Sequence, residues 1–176
     1  MSFSRGTVGA ILLASAGSVL AAEPEVGVLF ARSFDAHETD ILRLTYRRPL
    51  EPHDGARWWP QQLQLGASIW RVPDLGGITR RFDVNITPVW RSETAFGGAA
   101  KGYVEAGLGA YLLSHTINND TNRLPTSLEF GSRLGVGLQL DPRLSVGLAV
   151  QHISNAGIKQ PNGGINLYML TASYRL

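Results

Sequence analysis

Residues 126–140 read Thr126-Ser127-Leu128-Glu129-Phe130-Gly131-Ser132-Arg133-Leu134-Gly135-Val136-Gly137-Leu138-Gln139-Leu140. One alternate row holds Leu128, Phe130, Ser132, Leu134, Val136, Leu138 and Leu140. The other holds Ser127, Glu129, Gly131, Arg133, Gly135, Gly137 and Gln139. Alternation sustained over this length predicts a β-strand, because successive side chains point to opposite faces of a sheet. The strand is long and its two faces are unlike. One is aliphatic; the other is glycine, small polar residues and ionisable groups.

The same pattern spreads outward in both directions. Residues 143–154 set Leu144, Val146, Leu148 and Val150 against Ser145, Gly147, Ala149 and Gln151. Residues 102–112 set Val104, Ala106, Leu108, Ala110 and Leu112 against Tyr103, Glu105, Gly107, Gly109 and Tyr111. Residues 78–91 set Ile78, Phe82, Val84, Ile86 and Trp90 against Thr79, Arg81, Asp83, Asn85 and Thr87. Weaker alternation covers 25–34, 40–48, 62–72 and 164–176. Turn-forming residues separate these runs: Asp35-Ala36, Pro52 to Gly55, Pro73 to Gly77, Gly97-Gly98, Asn118 to Asp120, Asp141-Pro142 and Asn162 to Gly164.

About eight strands joined as hairpins result, and the content of their polar faces decides the architecture. A soluble sandwich carries a large apolar core face and a highly charged outer face. Here Arg43, Arg81, Asp83, Glu105, Glu129 and Arg133 lie well inside strands, among glycines. That suits an inverted arrangement with lipid outside and a narrow polar interior. Closure removes the sheet edges that lipid could not satisfy. The expected fold is all-β, an eight-stranded antiparallel transmembrane β-barrel. Trp58, Trp59, Trp70, Trp90, Tyr168 and Tyr174 are candidates for interfacial girdles. The alternative is a soluble lipocalin-like barrel, whose aliphatic face would point inward around a ligand.

Composition agrees. The chain has 176 residues, about one domain, with 16 Lys+Arg against 14 Asp+Glu, 20 glycines and 44% hydrophobic residues. A net charge of +2 argues against a nucleic-acid partner, and the hydrophobic content argues against a disordered chain. With no cysteine there is no disulfide, zinc-thiolate site or cysteine nucleophile. Residues 1–22, MSFSRGTVGAILLASAGSVLAA, read as a secretory signal peptide: Arg5, a short apolar stretch from Val8 to Leu20, then small residues. Residues 23–176 form the barrel domain.

With both ends of the barrel in the periplasm, the seventh strand ends on the outer surface. Its aliphatic row continues from Val150 to His152 and Ser154. Residues i and i+2 share a face and lie roughly 6.6 Å apart along a strand, so an imidazole can take the proton of a serine hydroxyl. The last strand returns with Asn166 on the same outward face, opposite this pair. On pattern alone, a His and a Ser at a strand end are more often interfacial residues than a catalytic pair.

The stretch His152-Ile153-Ser154-Asn155-Ala156-Gly157-Ile158-Lys159-Gln160-Pro161-Asn162 closely resembles the signature of the lipid A 3-O-deacylase (PagL) family of Gram-negative outer-membrane enzymes. Weaker matches keep the same order: Trp58-Trp59, Tyr103 to Gly109, and Phe130 to Gly137 with Arg133. The resemblance implies an eight-stranded barrel that hydrolyses the 3-O-ester of lipid A, with its site on the barrel's outside. It implies Ser154 as nucleophile, His152 as general base and acid, and Asn155 as a residue needed for activity. Gly157 and Asn162 become candidates for stabilising the oxyanion. The family places a Glu where this chain has Asn166. An asparagine orients a histidine but does not offset the imidazolium with a full charge.

No cofactor and no metal are expected. His37, His53 and His115 have no ligand spacing and read as surface residues. Glu105 and Glu129 with Arg133 and Arg81 read as an ion-pair network in the lumen, where charges must be compensated. Lys159 and Arg123, in outer loops, read as solvated charges or contacts to lipid A phosphates. The expected partners are lipid A, or whole lipopolysaccharide, in the outer leaflet of the outer membrane. A homodimer is left open, as are acyl-length preference and latency. The competing function is a noncatalytic small barrel with a structural or adhesion role.

Overall fold

The computed structural model describes residues 23–34, 38–52, 58–74, 77–95, 101–118 and 123–176. The expected signal peptide, His37, His53 and several turn signals (Asp35-Ala36, His53 to Gly55, Leu75-Gly76, Gly97-Gly98 and Asn119-Asp120) lie outside these residues. The strands are β1 (Glu25–Ser33), β2 (Asp40–Pro49), β3 (Gln62–Asp74), β4 (Gly77–Ala95), β5 (Lys101–Leu113), β6 (Ile117–Asn118), β7 (Arg123–Leu124), β8 (Leu128–Gln139), β9 (Leu144–Ser154) and β10 (Ile165–Arg175). Eight of them close a barrel in the order β1-β10-β9-β8-β5-β4-β3-β2, every pair antiparallel. The small strands β6 and β7 pair with each other inside the segment 115–125, which reads in sequence as a plain loop. Strand β4 runs to Ala95, past the expected end at 91.

The aliphatic rows face outward, which overturns the lipocalin-like alternative. Leu44, Leu108, Leu134 and Leu148 each leave 60% or more of their surface uncovered. Fully covering one such side chain stabilises a soluble fold by roughly 1.5–3 kcal/mol. Whole rows left bare therefore belong against lipid rather than water. Trp58, Trp90 and Tyr174 lie toward the end that carries Glu25 and Arg175, the Trp90 indole donating to the Trp58 carbonyl. At the opposite end Phe34 and Tyr168 stack with ring centroids 3.6 Å apart.

Trp70 is a correction. It is fully buried and points into the barrel, where Nε1 donates to Asp83 Oδ2 at 2.6 Å. Parity explains this: Leu65, Ala67 and Ile69 face out, so Gln64, Ser68, Trp70 and Val72 face in. The interior is also not polar throughout. Toward the end where β9 finishes it is filled by an apolar plug including Leu29, Ile41, Trp70, Ile153, Ile165 and Leu167. The β6–β7 hairpin adds Ile117 and Leu124 to that plug.

The lumen also holds ion pairs, with a partly different membership from that expected. Arg47 makes two bonds to Glu105, at 3.0 and 3.1 Å, and Arg133 Nη2 lies 3.3 Å from Glu105 Oε1. Gln64 Oε1 accepts from both guanidinium groups, at 2.9 and 3.2 Å. Arg43 donates to Ser68 and Gln151 and lies 3.9 Å from Asp83. Glu129 instead accepts from the Thr126 amide and hydroxyl, and Arg81 donates to the Arg80 carbonyl. Among the described residues neither joins an ion pair. The inward glycines fit the narrow bore: a side chain at Gly131 or Gly137 would collide with Tyr111 or Tyr103.

Between β8 and β9 the turn is tight. Asp141 Oδ1 accepts from the amides of Arg143 and Leu144, at 2.7 and 2.8 Å. These bonds hold its carboxyl below the usual carboxylate range.

Candidate active site

Inward anchors set the site. Ile153 lies in the plug and has no exposed surface, so its neighbours His152 and Ser154 both turn outward. Ile165 and Leu167 flank Asn166 in the same way. The register then places Asn166 directly opposite His152, and Ile165 opposite Ile153.

His152 Nδ1 lies 2.9 Å from Asn166 Oδ1. An amide oxygen only accepts, so Nδ1 carries a proton, and in the neutral ring Nε2 is then the nitrogen with the lone pair. That is the tautomer a general base needs. Among the described residues no hydrogen bond yet joins the Ser154 hydroxyl to the imidazole. Such contacts are often loose in a free enzyme and tighten when substrate is bound.

Two shallow grooves in the lipid-facing wall meet at His152. One, of about 600 Å³, is lined by His152, Ser154, Phe130, Ser132, Leu108 and Ala110 among others. The second, of about 660 Å³, includes His152, Asn166, Phe34, Val150, Leu134 and Ala106. Small residues make these depressions. Ser132 faces outward opposite His152 across the β8–β9 pair, in a row otherwise of large apolar side chains. That interruption is visible in the sequence and was the available signal for Ser132. Phe34 had no such signal; its backbone amide bonds to the Asn166 carbonyl at 3.0 Å and sets its ring beside the site.

The segment after Ser154 folds around Asn155, which is fully buried. Its Oδ1 accepts from the Gly157 amide at 3.0 Å and its Nδ2 donates to the Lys159 carbonyl at 2.9 Å. Its carbonyl accepts from the Ile158 amide at 3.1 Å, closing a four-residue turn. Both central residues of that turn are left-handed, Ala156 at φ 54° and Gly157 at φ 83°. Ala156 stores strain there, of order 1–2 kcal/mol. Asn162 Oδ1 accepts from the Asn155 amide at 3.2 Å. The structure thus brings Ser154, His152, Asn166, Asn155 and Asn162 to one end of β9 and β10. It spends the Gly157 amide within the turn. Lys159 is exposed on the same loop, and Arg123 is exposed on β7.

Residues 40–175 match the family described as Lipid A 3-O-deacylase (PagL). The chain belongs to that family. Lipid A deacylase PagL of Bordetella bronchiseptica is 32% identical over 171 residues, covering 95% of this chain and 93% of the relative. Lipid A deacylase PagL of Pseudomonas aeruginosa is 35% identical over 164 residues, covering 87% of this chain and 92% of the relative. The crystal structure of the outer-membrane enzyme PagL superposes with a TM-score of 0.70 at 27% identity, covering 86% of this chain and 99% of that one. Membership makes this barrel one of a family of outer-membrane ester hydrolases, and it brings the polar pair on the outer wall into a setting where ester chemistry is expected.

Proposed function

We propose that the chain removes the 3-O-linked 3-hydroxyacyl group of lipid A, with Ser154 as nucleophile. The observation that carries this reading is the His152–Asn166 pair on a lipid-facing wall, with Ser154 two residues along the same row. Substrate approaches sideways in the outer leaflet, its acyl chains lying in the grooves that meet at His152. Ser154 Oγ attacks the ester carbonyl while His152 Nε2 accepts the hydroxyl proton. Asn166 holds Nδ1–H throughout, fixing ring orientation.

The tetrahedral intermediate places a negative charge on the former carbonyl oxygen. Asn162 holds the loop through its Oδ1, which leaves its amide NH₂ as a donor for that charge. Collapse breaks the bond to the sugar O3, which takes the proton from His152. Water then attacks the acyl-serine, again giving its proton to Nε2; collapse breaks the acyl–Oγ bond, Nε2 returns that proton to Ser154 Oγ, and a free 3-hydroxy fatty acid leaves. Asn155 serves by shaping the turn behind Ser154. With Asn166 in place of a carboxylate the imidazolium is oriented but not neutralised, so the rate constant is set by geometry more than by charge.

The test is mass spectrometry of lipid A from a Gram-negative host expressing the chain. Loss of one 3-hydroxyacyl group relative to the empty-vector control supports the reading. Unaltered lipid A, with a folded barrel in the outer membrane, overturns it in favour of a noncatalytic barrel.

A further inference from the structure

Gly164, just before β10, sits against the catalytic imidazole. It is buried, at φ +66°. A Cβ there would lie 2.7 Å from Cε1 and 3.1 Å from Nε2 of His152, and 2.8 Å from the Ile153 carbonyl oxygen. The first and last of these are closer than real Cβ contacts come, and neither the strand carbonyl nor the pinned ring is free to give way. The bare backbone of Gly164 therefore packs against the ring nearest Cε1, while Asn166 holds Nδ1 from two residues further along the same chain.

That backbone is itself braced. The Gly164 amide donates to the Arg123 carbonyl at 3.2 Å, in an isolated bridge to β7. Leu124, next to Arg123, is fully buried in the plug. The β6–β7 hairpin thus fixes Gly164 from a different loop. Gly163 is a built-in contrast: a Cβ there would come no nearer than 3.6 Å to Arg123, in ordinary contact.

We infer that Gly164 is a positioning residue for His152: its missing side chain makes the seat in which the imidazole stays bonded to Asn166 with Nε2 open to Ser154. The inference rests on the reading of His152 as general base. Displacement of a reacting group by about 1 Å costs on the order of 10²-fold in rate.

The experiment uses the folded barrel in detergent, with folding checked by heat-modifiable mobility. In the wild type, an NOE is expected between His152 Hε1 and the Gly164 Hα protons; its absence overturns the inference without any variant. Gly164→Ala is expected to lower kcat about 10²-fold with KM unchanged, and to shift or erase the ¹⁵N-imidazole signal of the Nδ1–H bonded to Asn166. Gly163→Ala is expected to change neither. A Gly164→Ala protein with wild-type kcat and an unmoved imidazole signal overturns the inference, as does a fall in kcat with that signal unmoved. A moved imidazole with undiminished activity supports the seat and instead removes His152 from the reaction.

Discussion

Two clusters of polar side chains lie within the same barrel wall, one on each face. Inside, Arg47, Glu105, Gln64 and Arg133 are joined by hydrogen bonds of 2.9–3.2 Å, and Arg133 Nη2 lies 3.3 Å from Glu105 as an ion pair. Outside, His152 and Asn166 share one bond, and the Ser154 hydroxyl beside them has no partner among the described residues. The inner cluster pairs one carboxylate with two guanidinium groups, because ionised groups held away from water need partners, and it is sealed inside the wall. The outer cluster interrupts an aliphatic row and leaves a hydroxyl and an imidazole on the lipid-facing wall, the groups proposed above as nucleophile and base. The inner cluster is buried and out of reach of a lipid; the outer one is exposed on the face a lipid meets.

The comparison predicts opposite phenotypes. His152→Ala should lower deacylation by about 10²–10⁴-fold while the denaturation midpoint stays at that of the wild type. Combining it with Ser154→Ala should add almost nothing, because the two act as one unit. Glu105→Ala should do the reverse. It leaves Arg47 and Arg133 without their shared carboxylate, a loss of about 3–5 kcal/mol for broken buried pairs, read as a lower midpoint in guanidinium, with kcat of the remaining folded protein near that of the wild type. If Glu105→Ala stopped the chemistry in a fully folded barrel, the division between the two walls would fail.

Much of this division was legible in the sequence. Period two placed the strands to within a few residues and put His152, Ser154 and Asn166 on the outer face by parity. The contents of the lumen were harder to read. Arg47 is followed by Arg48 on a weakly alternating strand, and its partner Glu105 is 58 residues away. The chemistry of Trp70 suggests a girdle residue, but its parity on β3 puts it inside. The plug is hard to read in the sequence because inward Ile153, Ile165 and Leu167 alternate with outward polar residues on the same short segments. Gly164 looked like one more turn glycine, since nothing local tells which side chain a glycine makes room for.

Asn166 sharpens the comparison at intermediate size. Asn166→Ala removes the acceptor on Nδ1 and should cost a measurable part of the general-base effect, with stability unchanged. Asn166→Glu should be tolerated and should raise the rate, since a carboxylate both orients the ring and stabilises the imidazolium. Single-turnover deacylation with Asn, Ala and Glu at 166 in one detergent checks both. Equal rates for Asn and Ala would make Asn166 a bystander.

The smallest effect belongs to neither wall. Asp141 caps the β8–β9 turn with a carboxyl held below its ordinary range. A lowered folded-state pKa stabilises above the unfolded value, and that contribution is lost as pH falls through the folded one. Asp141→Ala should therefore lower the melting temperature slightly at neutral pH, and the difference should vanish in acid below the carboxylate range. Activity should not change at either pH.

The most direct test of the account is the Ser154→Ala barrel, shown to be folded by its heat-modifiable mobility and incubated with lipid A in the wild-type detergent. The outer-wall mechanism predicts that mass spectrometry finds the 3-hydroxyacyl chain still in place while the wild type removes it. Removal by the folded Ser154→Ala protein at the wild-type rate would contradict it.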